Sequence, residues 1–226
     1  MENELLSREN IPEEILEAFK ENMKLSKKLM TYYSCALLEI ETKFKVLNQQ
    51  FSLEQEHKPI ETIKTRLKST ESILEKLHRK NLPMDMAAVE ENLYDVAGIR
   101  VICPFINDIY CLADSLLQQD DVKKKKKKDY IKNPKENGYR SLHLIVETPI
   151  FLQDEKRLMK VEVQLRTIAM DFWASLEHRM RYKKNLNPEL SEMLSTELKD
   201  CAETSARLDI RMGRVKDVIE KNTAEE

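Results

Sequence analysis

The chain has 226 residues, 41% of them hydrophobic and 35% charged, with a formal net charge of -2. That is enough apolar material for one sizeable core, and a near-neutral total excludes capture of polyanions by bulk attraction. Three glycines against seven prolines exclude a disordered chain and a loop-rich all-β fold. The four cysteines, Cys35, Cys103, Cys111 and Cys201, form no CxxC pair and no Cys/His ligand spacing, as in a reducing compartment. The first ten residues lack an apolar core, and no run approaches the roughly 18 apolar residues of a membrane span. A cytoplasmic protein with no membrane segment is expected.

Over residues 12–51 apolar side chains recur at Leu16, Phe19, Met23, Met30, Tyr33, Leu37, Ile40, Phe44, Leu47 and Phe51. Gaps of three, four and seven draw one stripe along a long helix or two helices in tandem. Such a helix, placed before any strand, crosses the domain, meets another subunit, or does both. Next, Ile63, Thr65 and Leu67 alternate with Lys64, Arg66 and Lys68, the period of a strand with its basic side outward. Ser69 is positioned to cap a following helix. On that helix Ser72, Lys76 and Arg79 share one face, with Leu74 and Leu77 on the other. This array is either a solvated basic face or a polyphosphate grip helped by the helix N-terminus.

Residues 91–105, ENLYDVAGIRVICPF, read as a turn into a buried strand that Pro104 ends. Ile99, Val101 and Cys103 point to one side, Arg100 and Ile102 to the other. Asp95 stands at the entrance, as a salt-bridge partner or as a magnesium ligand. A helix over residues 107–117 follows, then six consecutive lysines, Lys123 to Lys128. Such a run is ordinarily a mobile solvated loop. From Val122 to Arg140, nine cations face only Asp129 and Glu136, a local charge of +7, so an anion is expected there.

Two strands come next. Leu142, Leu144 and Val146 form the apolar side of the first, which leaves Ser141 and His143 on the other, just after a Gly138-Tyr139 turn. In the second, Val161, Val163 and Leu165 alternate with Glu162, Gln164 and Arg166, so the last three share one side. This is either an ordinary hairpin with a wet face or the centre of a site. A helix then carries Trp173 with Ile168, Phe172 and Leu176, expected to pack into the core. From Pro188 on, Leu194, Leu198, Cys201, Ser205, Leu208, Met212, Val215 and Ile219 form a second long stripe. Two helical arms thus bracket an α/β centre.

Together these segments offer two separated carboxylates, Asp95 and Glu162, and at least seven basic side chains. Phosphate-group transfer asks mainly for positioning and charge neutralisation, which this inventory can supply. There is no GxxxxGK[ST] loop and no protein-kinase motif set.

The strings RLKSTESILEKL, YDVAGIRV, KENGYRSLH, EVQLRT and AMDFWASLEH, in this order and spacing, resemble the synthetase domain of the RelA/SpoT superfamily. With so little flanking sequence, the chain is similar to its small alarmone synthetases. The resemblance implies a nucleotidyltransferase-like α/β (α+β) core with a mixed central β-sheet flanked by helices. That core would span residues 55–185, between helical arms at 1–54 and 186–226. It also implies a GTP pyrophosphokinase, moving the β,γ-pyrophosphate of ATP to the 3′-hydroxyl of GTP or GDP to make pppGpp or ppGpp. By position, Arg66 and Arg100 would sandwich adenine, and Lys68, Ser72, Lys76 and Arg79 would hold the ATP phosphates. Asp95 and Glu162 would hold Mg²⁺, with Glu162 also orienting or deprotonating the attacking hydroxyl. Tyr139 would stack on guanine, Lys128, Lys135 and His143 would meet the acceptor's phosphates, and Gln164 would support the site. Asp171, where relatives often carry Asn, would contact the acceptor.

The His-Asp dipeptide of the hydrolase half of long relatives does not occur here, so synthesis without hydrolysis is expected. The resemblance further implies a homotetramer built through the arms. Two rival readings are a single-stranded RNA-binding module using the lysines and Tyr139, and an inactive oligomeric scaffold. The first leaves Asp95 and Glu162 unexplained, because carboxylates repel phosphates unless a metal lies between. Against the second, every charged position that the resemblance requires is filled.

Overall fold

The computed structural model describes residues 13–54, 58–181 and 188–223, with side chains over 27–53, 58–180 and 190–222. In chain order the elements are α1 (Glu13–Glu54), β1 (Thr62–Leu67), α2 (Thr70–Arg79), α3 (Met86–Asn92), β2 (Ala97–Cys103), α4 (Ile106–Leu117), β3 (Lys123–Asp129), β4 (Leu142–Phe151), β5 (Lys156–Thr167), α5 (Ile168–Arg181) and α6 (Pro188–Thr223). The strands form one mixed sheet in the order β1-β2-β5-β4-β3. β2 and β5 run parallel and the other neighbours are antiparallel. This is the mixed sheet flanked by helices that the sequence motifs imply.

One face of the sheet is apolar because the alternation is strict in its central strands. Ile99, Val101 and Cys103 of β2, Leu142, Leu144 and Val146 of β4, and Val161, Val163 and Leu165 of β5 are all at most 1% exposed. Covering them are Leu29, Tyr33, Ile40, Phe44 and Leu47 of α1, with Ile109, Leu112 and Leu116 of α4, in one continuous core. Fully burying each such side chain is worth about 1.5–3 kcal/mol, so α1 is a principal stabiliser of the domain. Leu16, Phe19 and Met23 of its expected stripe lie in α1, but their side chains are outside the described ones. The boundaries expected after residues 54 and 185 lie outside the described residues.

Several expectations change on folding. The lysine run is not a mobile loop but β3, the edge strand of the sheet, paired to β4 from Lys123 opposite Glu147 to Asp129 opposite Leu142. Lysine is a poor strand former, but the open edge of β4 supplies backbone partners, and charge on an edge strand discourages further pairing. On α2 the core face is Ile73 and Leu77, while Leu74 is exposed. On the other edge strand, β1, Ile63, Thr65 and Leu67 take the inward side, opposite Val101, Ile99 and Ala97, but only Ile63 packs against the core, and Thr65 and Leu67 are left exposed at the sheet edge. Trp173 is 6% exposed but its neighbour Phe172 is 64% exposed, with Ile168 and Leu176 also on the surface. The reason is α6: its Leu198 carbonyl accepts the Trp173 Nε1–H at 2.8 Å, and it covers only that side of α5.

Two further contacts seat α6. Ser205 Oγ donates to the Ala169 carbonyl at 3.1 Å, and Thr167 Oγ1 donates to Asp209 Oδ2 at 2.5 Å. Thr167 also accepts the Met170 N–H and so caps α5. Burial pushes the Asp209 carboxyl upward, against the opposing effect of the Thr167 hydrogen bond. Among the described residues, no helix is long and apolar enough to cross a membrane.

Candidate active site

The second face of the sheet is polar, and its register aligns the site. One row crosses all five strands: Lys64, Arg100, Gln164, His143 and Lys128 stand opposite one another in turn. The next row is Arg66, Gly98, Glu162, Ile145 and Lys126. Side chains that alternate along a strand and align across strands share one face, so residues from all five strands meet. Arg66 and Arg100 are diagonal neighbours on antiparallel strands, a spacing of about 7–8 Å. A flat ring stacked on both sides needs about twice 3.5 Å. Gly98, between Arg66 and Glu162, has only backbone within 4 Å of where a Cβ would be, at 3.8 and 4.0 Å, and keeps that floor low.

Beside these rows a cavity of about 310 Å³ is lined by Lys76, Lys80, Asn92, Tyr94, Asp95, Lys126, Lys128, Tyr130, Lys135, His143, Ile145 and Glu162. The β1–β2 pairing continues past the strands through the Lys68 N–H bond to the Val96 carbonyl, 2.9 Å, which sets Lys68 opposite the β2 entrance. Ser69, accepting the Ser72 N–H at 3.3 Å, starts α2 there, and one turn later Lys76 faces the same place. Asp95 therefore receives Lys68 Nζ at 2.9 Å and Lys76 Nζ at 2.6 Å. Burial works against its charge, but the two ammonium groups outweigh it and hold the carboxyl below its ordinary range. Lys68 and Lys76 thus hold a carboxylate here rather than standing free.

Glu162 is held from both sides. Gln164 Nε2 donates to its Oε2 at 3.0 Å, and His143 Nδ1 lies 3.6 Å from its Oε1. Burial and the charge of Asp95 push its carboxyl up, while the imidazole and the amide pull harder and leave it lowered. Asp95 and Glu162 are thus near enough to sense each other across one cavity. Among the described residues there is no group of three or more His, Cys, Asp or Glu able to hold a metal. A hard divalent ion that takes one or two carboxylates and completes its shell with phosphate oxygens and water fits this donor set.

The turn before β4 carries the aromatic part. Gly138 has φ +86°, a conformation that glycine adopts without strain, and a Cβ there would lie 2.5 Å from the Ala202 Cβ of α6. Tyr139 follows, its hydroxyl 2.8 Å from His143 Nε2, accepting from Ser141 Oγ at 2.9 Å and Arg166 Nη2 at 2.6 Å. His143 thus turns one nitrogen to Tyr139 and the other to Glu162. Lys135 Nζ sits 4.8 Å from the ring centres of both Tyr130 and Tyr139. At the far end of the first row, Asp171 accepts from Arg100 Nη1 at 3.3 Å and Arg166 Nη1 at 3.2 Å, with Lys64 Nζ at 3.6 Å. Three cations surround Asp171, which joins the Arg100 end of the face to the Tyr139 end.

The cavity therefore gathers Lys76, Asp95, Lys128, Lys135, His143 and Glu162, with Lys68, Gln164 and Tyr139 one contact away. Ser72 stays at the start of α2, within reach of the Ser69 hydroxyl at 3.2 Å, and Arg79 is exposed on α2 outside the lining. Sequence reasoning passed over Tyr130, Lys126, Lys80, Tyr94 and Asn92. For two of them a signal existed: once the lysine run is a strand, Lys126, Lys128 and Tyr130 alternate onto one side. Asp129 ends that strand by accepting the Ile131 and Lys132 N–H groups, both at 3.0 Å, with Tyr110 Oη at 3.1 Å.

A lysine-lined cavity with two carboxylates on the open face of a mixed sheet is the equipment of a protein that handles phosphorylated substrates. Residues 65–187 match the family model described as the region found in RelA / SpoT proteins. The chain is 46% identical over 188 residues to the GTP pyrophosphokinase YwaC of Bacillus subtilis (strain 168), covering 83% of this chain and 89% of that protein. Among solved structures it is similar to small alarmone synthetase 1 of Bacillus subtilis bound to its product pppGpp, with a TM-score of 0.77 and 34% identity over 87% of this chain and 98% of that one. The same synthetase bound to AMPCPP superposes with a TM-score of 0.70 and 29% identity, covering 87% and 98%. The chain belongs to the RelA/SpoT family.

Proposed function

We propose that this chain is a GTP pyrophosphokinase that takes ATP as donor and GTP or GDP as acceptor. The observation that carries this reading is Glu162, fixed between Gln164 and His143 and facing a cavity that also holds Asp95 and five lysines. The acceptor's 3′-oxygen forms a bond to the β-phosphorus of ATP, the bridge to the α-phosphate breaks, and AMP leaves. Glu162 takes the hydroxyl proton or aligns that hydroxyl for attack. Arg66 and Arg100 stack on the adenine. Lys68 and Lys76 exchange Asp95 for the donor's phosphates, and Lys128 and Lys135 meet those of the acceptor. Mg²⁺ held by Asp95 and Glu162 supplies neutralisation of the phosphate oxygens. The relative solved with pppGpp and with AMPCPP supports nucleotides as ligands.

A homotetramer built through the helices accompanies this reading. Supporting it, α5 and α6 leave Phe172, Met180, Leu208, Met212, Val215 and Ile219 exposed, and exposed apolar side chains gathered on neighbouring helices are the material of a subunit contact. Four free thiols agree with a cytoplasmic setting. The test is incubation with Mg²⁺, γ-labelled ATP and GTP or GDP in turn. The expected result is label in a guanosine product with one AMP released per transfer. Label found only in free phosphate or pyrophosphate overturns the reading.

A further inference from the structure

We propose that Arg166 is a positioning residue that sets the direction of the two hydrogen-bond chains converging on Glu162; this rests on the reading of Glu162 given above. Arg166 does not line the cavity, and the groups that hold Glu162 are Gln164 and His143. It is 5% exposed, anchored through Nη1 to Asp171 at 3.2 Å, and its Nη2 donates to Tyr139 Oη at 2.6 Å and to Gln164 Oε1 at 3.2 Å. With Glu162 these residues close a loop: Arg166, Tyr139, His143, Glu162, Gln164 and back to Arg166.

The chemistry of each member gives the loop its direction. A guanidinium only donates, so both groups on Nη2 must accept from it. For Gln164 that fixes the amide: its oxygen faces Arg166, and its NH₂ therefore faces Glu162. A flipped amide would set oxygen against the carboxylate. For Tyr139, the oxygen accepts from Arg166 and from Ser141 Oγ, so the phenol proton is left for His143 Nε2 at 2.8 Å. An imidazole that accepts at Nε2 carries its proton on Nδ1, the nitrogen turned toward Glu162 at 3.6 Å. Both neighbours of Glu162 then present N–H, and its lone pairs stay directed into the cavity where an attacking hydroxyl would sit. Lysine at position 166 keeps the charge but loses the planar fork that serves two acceptors from one nitrogen while holding Asp171 with the other.

The test has two arms. In the first, the ¹⁵N spectrum of the metal-free, nucleotide-free full chain, with His143 assigned against His143→Gln, reports the tautomer. The wild type is expected to show Nδ1 protonated and Nε2 not, and Arg166→Met and Arg166→Lys to lose that preference. In the second, both variants are expected to lose about 10²-fold in kcat, with the KM for ATP within about threefold, and Arg166→Lys combined with Tyr139→Phe to fall little below the worse single variant. A wild-type His143 protonated on Nε2 overturns the proposal whether or not the variants fold. So does an unchanged tautomer in a folded Arg166 variant, or a loss confined to KM. If the wild type makes no guanosine product, the functional reading fails, while the tautomer arm still decides the role of Arg166.

Discussion

Replacing Asp95 with Asn separates stability, donor binding and turnover. Asp95 takes Lys68 at 2.9 Å and Lys76 at 2.6 Å, so asparagine keeps one acceptor and turns an amide NH₂ toward an ammonium. One charge-assisted hydrogen bond is lost, worth about 1.5–3 kcal/mol. The three side chains are 17%, 20% and 26% exposed, and solvent screening places the loss near the lower end. At roughly 2–4 °C per kcal/mol for a chain of this size, about 1.5 kcal/mol lowers Tm by about 3–6 °C. Donor binding moves the other way: freed lysines meet the phosphates without first leaving a carboxylate, so the affinity for a non-hydrolysable ATP analogue stays within about threefold of wild type or rises. Turnover falls by about 10²–10³-fold, the usual effect of removing one preorganised charge from such a site. Thermal melts, calorimetric titration and initial rates with labelled ATP measure the three quantities. Near-normal turnover removes Asp95 from the proposed metal site, and an unchanged Tm with weakened donor binding refutes the lysine pairing as the resting state.

Glu162→Gln keeps size and strand position but loses the anion, and kcat is expected to fall by about 10² or more; a change in KM alone would make it a binding group. Gly138→Ala requires an L-residue at φ +86° and a Cβ 2.5 Å from that of Ala202, so urea unfolding should show a loss of about 3 kcal/mol, with the acceptor KM rising more than the ATP KM as Tyr139 shifts. Asp209 has its carboxyl raised by burial. Its contribution to stability is therefore full below the ordinary carboxylate range and is lost as pH rises through the raised value. Asp209→Asn should melt at or above wild type at neutral pH, with the difference closing in acid. Leu208→Glu with Met212→Lys alters exposed positions of α6 and should reduce the proposed homotetramer to smaller species by light scattering. Removing α6 whole is less informative, since Trp173, Thr167 and Gly138 all contact it.

Much of this protein was written locally. The period-two alternation of Val161 to Arg166 and of Ser141 to Val146 assigned the apolar and polar sides of β5 and β4, the cap at Ser69 placed α2, and Gly138 marked a turn that φ +86° requires. Each depends only on backbone geometry and on neighbours a few residues away. Which surface becomes covered depends on segments far off in the chain. Six lysines carry no alternation to read, and they became β3 because β4 had an open edge; Tyr130 entered the cavity with them. Trp173 and Phe172 are adjacent and both aromatic, yet only the side facing α6 is buried. Arg166 looked like one more polar strand residue until folding set Asp171, Tyr139 and Gln164 around its guanidinium. Periodicity states what a segment will bury, whereas the partners of a buried charge are chosen by the packing of elements that meet only in three dimensions.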